Sequence, residues 1–535
     1  MPLRQSLVLL ATVASLTLSV PTTGSAAESD LPFRQAVAEA AFGDEAIATF
    51  YRETGYRPIF TGRDQGDRVR RAALFEALSR AGAHGLPAAK HDPALLRDVF
   101  AQANSIRARG EAEVAAARIF IAYAHDVQSG ILEPGRVDHE IVRELPRRDP
   151  SDLLRGFAGD APRAFLASLP PRSLEYNRLM AERMRLEETR AHGGWGEAVS
   201  AERLEPGDTG RAVLQLRNRL IAKGYLPRTA TVSYDAAIAK AVQTFQLDHG
   251  LEADGVAGRD TLRHVNASVE QRLGQIFVAL ERERWLNLPE GLGERHIWVN
   301  LTDFHAKVID DGKVTFSTRA VVGDEADGKV TPEFSDEMEY MELNPTWTVP
   351  RGIIARDYLP KLKRNPNAAS YLRLIDRRGR VVSRANVNFA NYTAKSLPFN
   401  LVQPPGPRNA LGTVKFMFPN KHAIYLHDTP DKHLFSRDRR TYSSGCIRLN
   451  DPHEFAYHLL ERQSDDPEGL FQSTLRTGAV SRINLEKTVP VHLVYRTVFG
   501  TAKGRMNYRE DIYNRDAKLW RALQNAGVTL GGAQS

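Results

Sequence analysis

The chain has 535 residues, of which 42% are hydrophobic and 26% are charged, and its formal net charge is +7. This length implies about three domains, and the composition is ordinary for globular proteins. A basic chain suits carboxylate-rich partners or nucleic acid, but the sequence contains no basic run with interleaved aromatic residues. We therefore expect no nucleic acid partner.

Residues 1–27 are typical of a cleaved export signal. Arg4 supplies the positive start, an apolar run follows from Leu7 to Val20, and Gly24–Ala27 offers small residues for cleavage. The apolar run is about 14 residues, short for a membrane span of roughly 20, which disfavours an uncleaved anchor. The sequence predicts an exported protein with no transmembrane segment in the mature chain.

Residues 28–200 are expected to form a helical domain. Apolar residues recur at helical spacing in Arg68–Arg80, Pro93–Ala103 and Glu111–Val127, and Ser173–His192 is a charged amphipathic helix. Three polar residues are interpreted as caps or surface groups rather than as ligands: His84, Asp92 and His125.

Residues 203–268 are predicted to be a compact unit of three helices. The first helix covers Val213–Ala222, the second begins after Asp235, and a short third helix contains Thr261 and Leu262. Residues 269–294 follow as a connecting segment, with a helix over Glu270–Trp285 that we expect to pack against the next domain.

From residue 295 to about 500 the pattern changes to that of a mostly-β domain. His296–Leu301 alternates as strands do, and residues 307–322 are typical of a hairpin. Residues 353–405 are interpreted as an insertion that begins with a helix over Gly352–Leu362. Several large apolar residues in it argue against a disordered loop: Tyr358, Tyr371, Leu372, Phe389 and Tyr392.

After the insertion, Val414–Phe418 and Ala423–His427 are predicted strands, and a basic loop leads to Cys446. Asp451 is then expected to cap a helix that begins with a proline. Val489–Val498 is predicted to be β-structure. Residues 501–535 are expected to form a C-terminal tail with a short helix.

Cys446 is the single cysteine of the chain. Exported proteins use cysteines in pairs, so a lone one is either inert in a core or a reactive thiol. Its hydrophilic, Ser- and Gly-rich setting favours a reactive thiol, which needs a base to form the thiolate. His427 ends a predicted strand 19 residues upstream and is the preferred base; His422 and His433 are its competitors.

The same stretch offers groups for binding and stabilisation. Backbone N–H groups around Ser444, Gly445 and Cys446 are candidate donors to an oxyanion. Tyr425 lies one alternation before His427 and is expected to line the site. The sequence leaves open whether Arg448 pairs with a substrate carboxylate or braces the turn, and whether Ser444 orients the imidazole or joins Ser443 in contacting substrate.

The pattern of His427, a loop, and Ser443-x-Gly445-Cys446-Ile-Arg448 resembles the L,D-transpeptidases of bacterial cell-wall synthesis. Where this family usually has a second histidine, this chain has Ser444, as does the large multidomain subgroup. Residues 203–268 resemble the peptidoglycan-binding domain, residues 28–200 the helical scaffold, and residues 353–405 the lid of that subgroup.

The resemblance implies a multidomain α+β protein with a helical N-terminal scaffold, a three-helix peptidoglycan-binding-like domain, and a mostly-β catalytic domain with an inserted lid. It implies a periplasmic cysteine acyltransferase that needs no metal or other cofactor. Its expected partners are peptidoglycan stem peptides: a tetrapeptide donor and a diaminopimelate amine acceptor, joined as a 3→3 cross-link. It also implies inactivation by carbapenems.

Two rival functions remain open at this point. One is a zinc-dependent cell-wall peptidase or amidase, with His422, His427 and His433 as ligands, although no His-Glu-x-x-His motif is present. The other is a non-catalytic peptidoglycan-binding protein with a structural cysteine. Hydrolysis, in which water replaces the amine acceptor, is not distinguished from transfer.

Overall fold

The computed structural model describes residues 31–326, 328–501 and 504–530. The predicted export signal, residues 1–27, lies outside the described residues. The chain divides into two compact units: the first comprises the described chain up to Glu76 together with Pro93–Ile121 and Asp149–Arg163. The second comprises Ala77–Asp92, Ala122–Arg148 and the chain from Ala164 onwards.

The described chain before residue 200 is helical, as the sequence predicts. Ser173 caps the last of these helices by accepting a hydrogen bond from the Tyr176 N–H, and Gly130, with φ of 95°, follows the longest one. The helices are α1 Leu31–Ala40, α2 Glu45–Glu53, α3 Gln65–Ser79, α4 Pro93–Ala101, α5 Ile106–Ser129, α6 Pro134–Val137, α7 Pro150–Ala158, α8 Pro162–Ala167 and α9 Leu174–Ala191.

The first unit is held by an aromatic stack and one buried carboxylate. The Phe60 and Phe157 rings stack with centroids 5.5 Å apart. The Glu113 carboxylate accepts hydrogen bonds from the Tyr51 hydroxyl and from backbone N–H groups of residues 59–61. A buried carboxylate is tolerated when donors satisfy it in this way.

The three-helix unit is confirmed, with α10 Arg211–Ala222, α11 Ala236–His249 and α12 Arg259–Asn266. Asp235 caps α11 by accepting from the Ile238 N–H at 2.9 Å. The connecting helix α13, Val269–Trp285, begins with a capping box formed by Ser268 and Gln271.

The second unit contains a large closed sheet. Its strand order is β11-β3-β12-β10-β9-β4-β13-β1-β2, and β2 also pairs with β3, which closes the sheet into a barrel-like ring. The strands are β1 Arg295–Asn300, β2 His305–Asp310, β3 Lys313–Gly323, β4 Phe334–Leu343, β9 Val414–Met417, β10 Leu426–His427, β11 Thr441–Ser443, β12 Ile447–Leu449 and β13 Ser481–Val494; the labels β5–β8 belong to the insertion described next.

The insertion has its own small sheet, of order β5-β8-β6-β7, and its own apolar core. Its elements are β5 Trp347–Thr348, α14 Arg351–Ile353, a π-helical turn Ile354–Tyr358, α15 Leu359–Arg364, β6 Arg373–Ile375, β7 Val381–Val382 and β8 Asn400–Gln403. Four apolar residues that argued for an ordered insertion contribute to this core: Tyr358, Leu372, Phe389 and Tyr392.

Besides β13, the chain after Cys446 contains α16 Pro452–Leu460, α17 Pro467–Arg476, β14 Val498–Gly500, β15 Met506–Tyr508 and α18 Arg515–Asn525. The short C-terminal helix is therefore confirmed. Its Leu519 and Leu523 pack in one core with residues of α13 and α9.

Two local predictions were wrong. The strand predicted over Ala423–His427 is only two residues long, because Ala423 has φ of 54° and the Asn420 side chain binds the backbone of Ile424. The β-structure predicted over Val489–Val498 starts earlier, at Ser481. The helix start predicted at Asp451 is confirmed, with Asp451 at the N-cap and Pro452 as the first residue of α16, although the Asp451 carboxylate accepts from the Thr318 hydroxyl at 2.8 Å and not from the helix.

Candidate active site

Two short parallel strands bring the predicted site residues together. In the pairing of β10 with β12, Leu426 lies beside Ile447 and His427 beside Arg448. Leu426 and Ile447 point into the barrel core, so their neighbours point to the other face. Tyr425, His427, Cys446 and Arg448 therefore share that face.

His427 is held as a single tautomer. Its ring is buried, and Nδ1–H donates a hydrogen bond to the backbone carbonyl of Asp428 at 2.5 Å. Because a carbonyl oxygen only accepts, the proton must be on Nδ1 and Nε2 is free to take another. The Asp428 carboxylate fixes this segment through the Thr413 amide and an ion pair with Lys432.

The imidazole is strongly biased towards its neutral form. Burial, together with the nearby Arg448 and Lys415, lowers the pKa of His427 to about 3. The hydrogen bond to Asp428 opposes this shift without cancelling it. At neutral pH the ring is consequently a proton acceptor.

Cys446 is half-buried, and its Sγ lies 3.6 Å from the carbonyl oxygen of Ala423. Burial raises the pKa of the thiol to about 11, whereas Tyr425, Arg448 and Lys415 act to lower it. The resting thiol is therefore protonated, in surroundings whose charges favour the thiolate that forms during attack.

The side chain that interacts with the thiol is Tyr425. Burial and its interaction with Cys446 raise the pKa of the Tyr425 hydroxyl well above its ordinary value. Within the described residues no hydrogen bond joins His427 to Cys446. The imidazole lies beside Arg448, two residues from Cys446 along the shared face, and its ring centroid lies 5.6 Å from that of Tyr425.

The turn before the nucleophile is braced by Ser443. This buried serine donates to the Cys446 carbonyl and accepts from the Gly445 N–H at 3.1 Å. Ser443 is therefore inside the turn instead of in the substrate-facing position we expected. The Gly445 amide is likewise engaged, so it does not act as the oxyanion donor we expected. In the described chain, the N–H groups of Ser444 and Cys446 have no acceptor and remain the candidate donors.

Gly445 contributes through its backbone shape. Its φ of 121° is one that other residues rarely adopt, and a Cβ atom there would lie 3.3 Å from Ile424 Cδ1. Its carbonyl accepts a hydrogen bond from the Thr331 hydroxyl at 2.7 Å.

This turn is supported by a buried network of charged residues that sequence reasoning missed. Arg515 of α18 donates to the Thr331 carbonyl at 2.9 Å and pairs with Glu333 at 3.3 Å. Glu333 also pairs with Arg282 of α13, which pairs with Asp516 at 3.0 Å. The turn that carries Cys446 thus rests on residues far away in the sequence.

The insertion supplies a second residue that sequence reasoning missed. Arg356, in the π-helical turn, donates to the Ser444 hydroxyl at 3.2 Å. Ser444 itself is exposed, so the guanidinium group lies over the open side of the nucleophile turn. Arg448 is partly engaged, because it pairs with Asp431 at 3.0 Å.

The two competing histidines lie elsewhere. The His422 ring packs against Phe334, with centroids 5.2 Å apart, and His433 is exposed in a short 3-10 helix, Lys432–Ser436. Among the residues that the structure describes, no group of three or more His, Cys, Asp or Glu side chains is arranged to hold a metal ion.

Comparison with known families assigns three regions. Residues 294–474 match the family described as "L,D-transpeptidase catalytic domain", residues 45–182 match "Scaffold domain", and residues 209–265 match "Putative peptidoglycan binding domain". No helix of the described chain is both long and apolar enough to cross a membrane.

A curated protein of Haemophilus influenzae strain Rd, named "Putative L,D-transpeptidase", is 31% identical over 225 residues. The match covers 42% of this chain and 45% of that protein, so the chain spans less than half of its relative's length. Two solved L,D-transpeptidases, from Xylanimonas cellulosilytica and Stackebrandtia nassauensis, are 16% and 14% identical. Each aligns with 56% of this chain, covering 100% and 97% of its own, with TM-scores of 0.18 and 0.21.

Proposed function

Since residues 294–474 belong to the L,D-transpeptidase catalytic-domain family, we propose that this chain forms 3→3 peptidoglycan cross-links through a cysteine acyl-enzyme. Cys446 is the nucleophile and His427 is the base. The observation that carries the proposal is the buried imidazole, which has a free Nε2 and shares a sheet face with a half-buried thiol.

The first half-reaction acylates the enzyme. His427 Nε2 takes the Cys446 proton as sulfur attacks the carbonyl of the third residue of a tetrapeptide stem. The amides of Ser444 and Cys446 stabilise the oxyanion. The C–N bond then breaks, the imidazolium returns its proton to the departing D-alanine amine, and a thioester remains.

The second half-reaction transfers the acyl group. A diaminopimelate side-chain amine attacks the thioester carbonyl and gives its proton to His427. The C–S bond breaks, the new amide is released, and the sulfur regains its proton. Tyr425 contacts the thiol and favours its ionised form. Lys415 and Arg448 stabilise the thiolate that forms when the C–S bond breaks.

Arg356 and Arg448 are the cations available for the donor's carboxylates. Each already has an acidic partner: Arg356 pairs with Asp357 at 3.3 Å and Arg448 pairs with Asp431 at 3.0 Å. Because Arg356 also donates to the hydroxyl of the exposed Ser444, two residues from Cys446, we assign substrate binding to Arg356 and a bracing role to Arg448. Export to the periplasm through residues 1–27 belongs to the same proposal.

Mass spectrometry tests the proposal directly. Purified enzyme and its Cys446→Ala variant are each incubated with disaccharide-tetrapeptide. We expect an acyl adduct and released D-alanine only with the unmodified enzyme, and a covalent carbapenem adduct with the same dependence on Cys446. Equal turnover by the alanine variant would falsify the proposed nucleophile. Release of D-alanine with a free tripeptide stem as the only other product would favour hydrolysis over transfer.

A further inference from the structure

A serine and a histidine meet on the outer face of the barrel. Ser335 of β4 and His492 of β13 lie directly opposite each other in the pairing of the two strands. Their neighbours Phe334 and Leu493 lie in the barrel core, so this pair points to the other face of the sheet. Ser335 is exposed, whereas His492 is only 4% exposed. The serine is therefore open to a ligand, while its partner is shielded from water.

His492 is held as the tautomer that can accept a proton from this serine. Its Nε2 lies 2.9 Å from the backbone carbonyl of Leu292, which can only accept, so Nε2 carries the proton. Nδ1 is consequently an acceptor, and the Ser335 hydroxyl donates to it at 2.8 Å. Burial is the main cause that lowers the pKa of His492 to about 4, so the ring is neutral at neutral pH. A serine hydroxyl bonded to a neutral, oriented imidazole is the arrangement that activates a nucleophile.

A cation lies against the serine oxygen. Arg143, in the segment after α6, donates from one terminal nitrogen to Ser335 Oγ at 3.0 Å and from the other to the Leu493 carbonyl at 2.6 Å. Among the described residues, no carboxylate forms an ion pair with this guanidinium group. Its charge therefore acts on Oγ, where it favours the alkoxide and the oxyanion that would form on attack of a carbonyl carbon.

The serine and the arginine line a cavity of about 460 Å³. Small-molecule sites typically have volumes of about 300–1,000 Å³ and mostly apolar walls with a few polar groups. Here the apolar wall is formed by Val142, Trp285, Leu286, Leu288, Phe334 and Pro419. Neither Cys446 nor His427 lines this cavity, so the proposed transpeptidation does not use it.

We propose that Ser335 is the nucleophile of a second active site, which hydrolyses carboxylic esters. His492 is its base, Arg143 stabilises the oxyanion, and the apolar wall holds a short aliphatic acyl chain. Esters are favoured over amides because an alkoxide leaves a tetrahedral intermediate more readily than an amide anion does. This inference rests on the contacts of these three residues and on the cavity, and it is independent of the function proposed for Cys446.

The reaction has two steps. Ser335 Oγ attacks the ester carbonyl carbon while His492 Nδ1 takes the hydroxyl proton; the bond from carbon to the alcohol oxygen then breaks, and Nδ1 gives this proton to the departing alcohol. Water next attacks the acyl-serine and gives a proton to Nδ1. The bond between carbon and Oγ breaks, the carboxylic acid is released, and the proton returns to Oγ.

Labelling of the full chain with a fluorophosphonate, which bonds covalently to activated serines, tests the site together with hydrolysis of p-nitrophenyl butyrate. Every protein carries Cys446→Ala, so that the thiol cannot react with the ester. Ser335→Ala removes the nucleophile, His492→Phe removes both ring nitrogens but keeps an aromatic ring, and Ser317→Ala removes an exposed serine of β3 as the matched control. Peptide mass spectrometry locates the adduct, and thermal unfolding verifies that all variants are folded.

We expect a fluorophosphonate adduct on Ser335 in the parent and in Ser317→Ala, and no adduct at that position in Ser335→Ala. Hydrolysis of the butyrate ester should fall to the rate without enzyme in Ser335→Ala. In His492→Phe it should fall by at least about a hundredfold, the usual contribution of a general base. Ser317→Ala should hydrolyse the ester as fast as the parent does.

The proposal is overturned if the parent does not accelerate hydrolysis of the ester, or if Ser335→Ala hydrolyses it as fast as Ser317→Ala does. It is also overturned if His492→Phe reacts at the parent's rate, since the serine and the histidine would then only join β4 to β13. None of these results bears on the proposed transpeptidation, because every protein in this experiment lacks the thiol. Acylation of the Cys446 enzyme by the tetrapeptide remains the separate test of that function.

Discussion

Burial has the largest effect on the pKa values of Cys446 and His427, and two neighbouring cations act on both groups. Lys415 and Arg448 stabilise a thiolate on Cys446 and destabilise an imidazolium on His427. In a resting thiolate–imidazolium pair, the two cations would therefore stabilise the thiolate of Cys446 and destabilise the imidazolium of His427. The structure therefore favours a neutral pair that exchanges its proton only as the substrate carbonyl is attacked.

This arrangement predicts an unusual dependence of acylation on pH. His427 must be neutral to accept the thiol proton, so activity is lost only as the pH falls through its pKa of about 3. We expect the rate of acylation by tetrapeptide to show no inflection near 6.5, the ordinary value for histidine. Mass spectrometry of samples quenched at fixed times, at pH values between 4 and 9, measures this rate of acylation.

Circular dichroism at each pH must first establish that the enzyme is folded, since acid unfolding would also lower the rate of acylation at low pH. A sigmoidal fall of the acylation rate centred near pH 6.5, in protein that is still folded, would show that His427 is solvated or paired differently during catalysis.

The proposed nucleophile and base were accessible to sequence reasoning, whereas their surroundings were not. A lone cysteine in a polar turn and a histidine at the end of an apolar run stand out in a single sequence. The Asp428 carbonyl that fixes the imidazole leaves no side-chain signal. Thr331 and Arg356 reach the turn from distant segments, and nothing in their local sequence marks them.

The insertion acts on the site through one arginine at its start. The π-helical turn Ile354–Tyr358 places Arg356 above Ser444, next to the nucleophile. In the proposed reaction, a carboxylate of the donor stem pairs with this guanidinium group.

Replacement of this arginine should weaken substrate binding more than it slows the chemistry. We expect Arg356→Gln to raise KM for the tetrapeptide donor by about tenfold, the loss of roughly one charge-assisted hydrogen bond, and to change kcat by less than about threefold. Steady-state release of D-alanine provides both constants.

Arg364→Gln, on the exposed side of α15 in the same insertion, is the matched control and should leave both constants unchanged. If Arg356→Gln lowers kcat tenfold at unchanged KM, the arginine stabilises the transition state instead of binding the ground-state carboxylate.

Helices were easier to predict than strands in this chain. The bounds of α9, α11 and α13 follow from apolar periodicity together with Ser, Asp and Gly caps, which are local signals. The first half of β13 was missed although Ile483 and Leu485 alternate with polar residues, because a run with only two apolar residues becomes a strand here through its pairing with β4. Closure of the sheet through β2 and β3 is likewise a non-local property.

Remote parts of the chain converge beneath the nucleophile turn. Arg515, Glu333, Arg282 and Asp516 come from α18, the start of β4 and α13, and all four are buried. Since Arg515 also donates to Thr331, this cluster couples the stability of the second unit to the position of Gly445.

Removal of one member should therefore affect both stability and activity. We expect Arg515→Met to reduce the free energy of unfolding by about 3 kcal/mol, because it breaks a buried charge network from one side. We also expect acylation to slow at temperatures at which the variant is still folded. Denaturant unfolding and acylation rates on the same samples provide the two readings.

Arg521→Met, on the exposed face of the same helix, is the matched control and should change neither the free energy of unfolding nor the rate of acylation. If the Arg515→Met enzyme is stable and is acylated at the normal rate, Thr331 holds the Gly445 carbonyl without help from α18.

The closed sheet also constrains when the enzyme becomes competent. Strand β13 separates β4 from β1 within the ring, yet it is synthesised after Cys446, and α18 follows later still. When Cys446 has been translated, the polypeptide still lacks β13, which completes the ring. It also lacks α18, whose Arg515 supports the turn that carries Cys446. A chain truncated between residue 474 and β13 should accordingly contain both Cys446 and His427 but neither the complete ring nor α18, and we expect it not to be acylated.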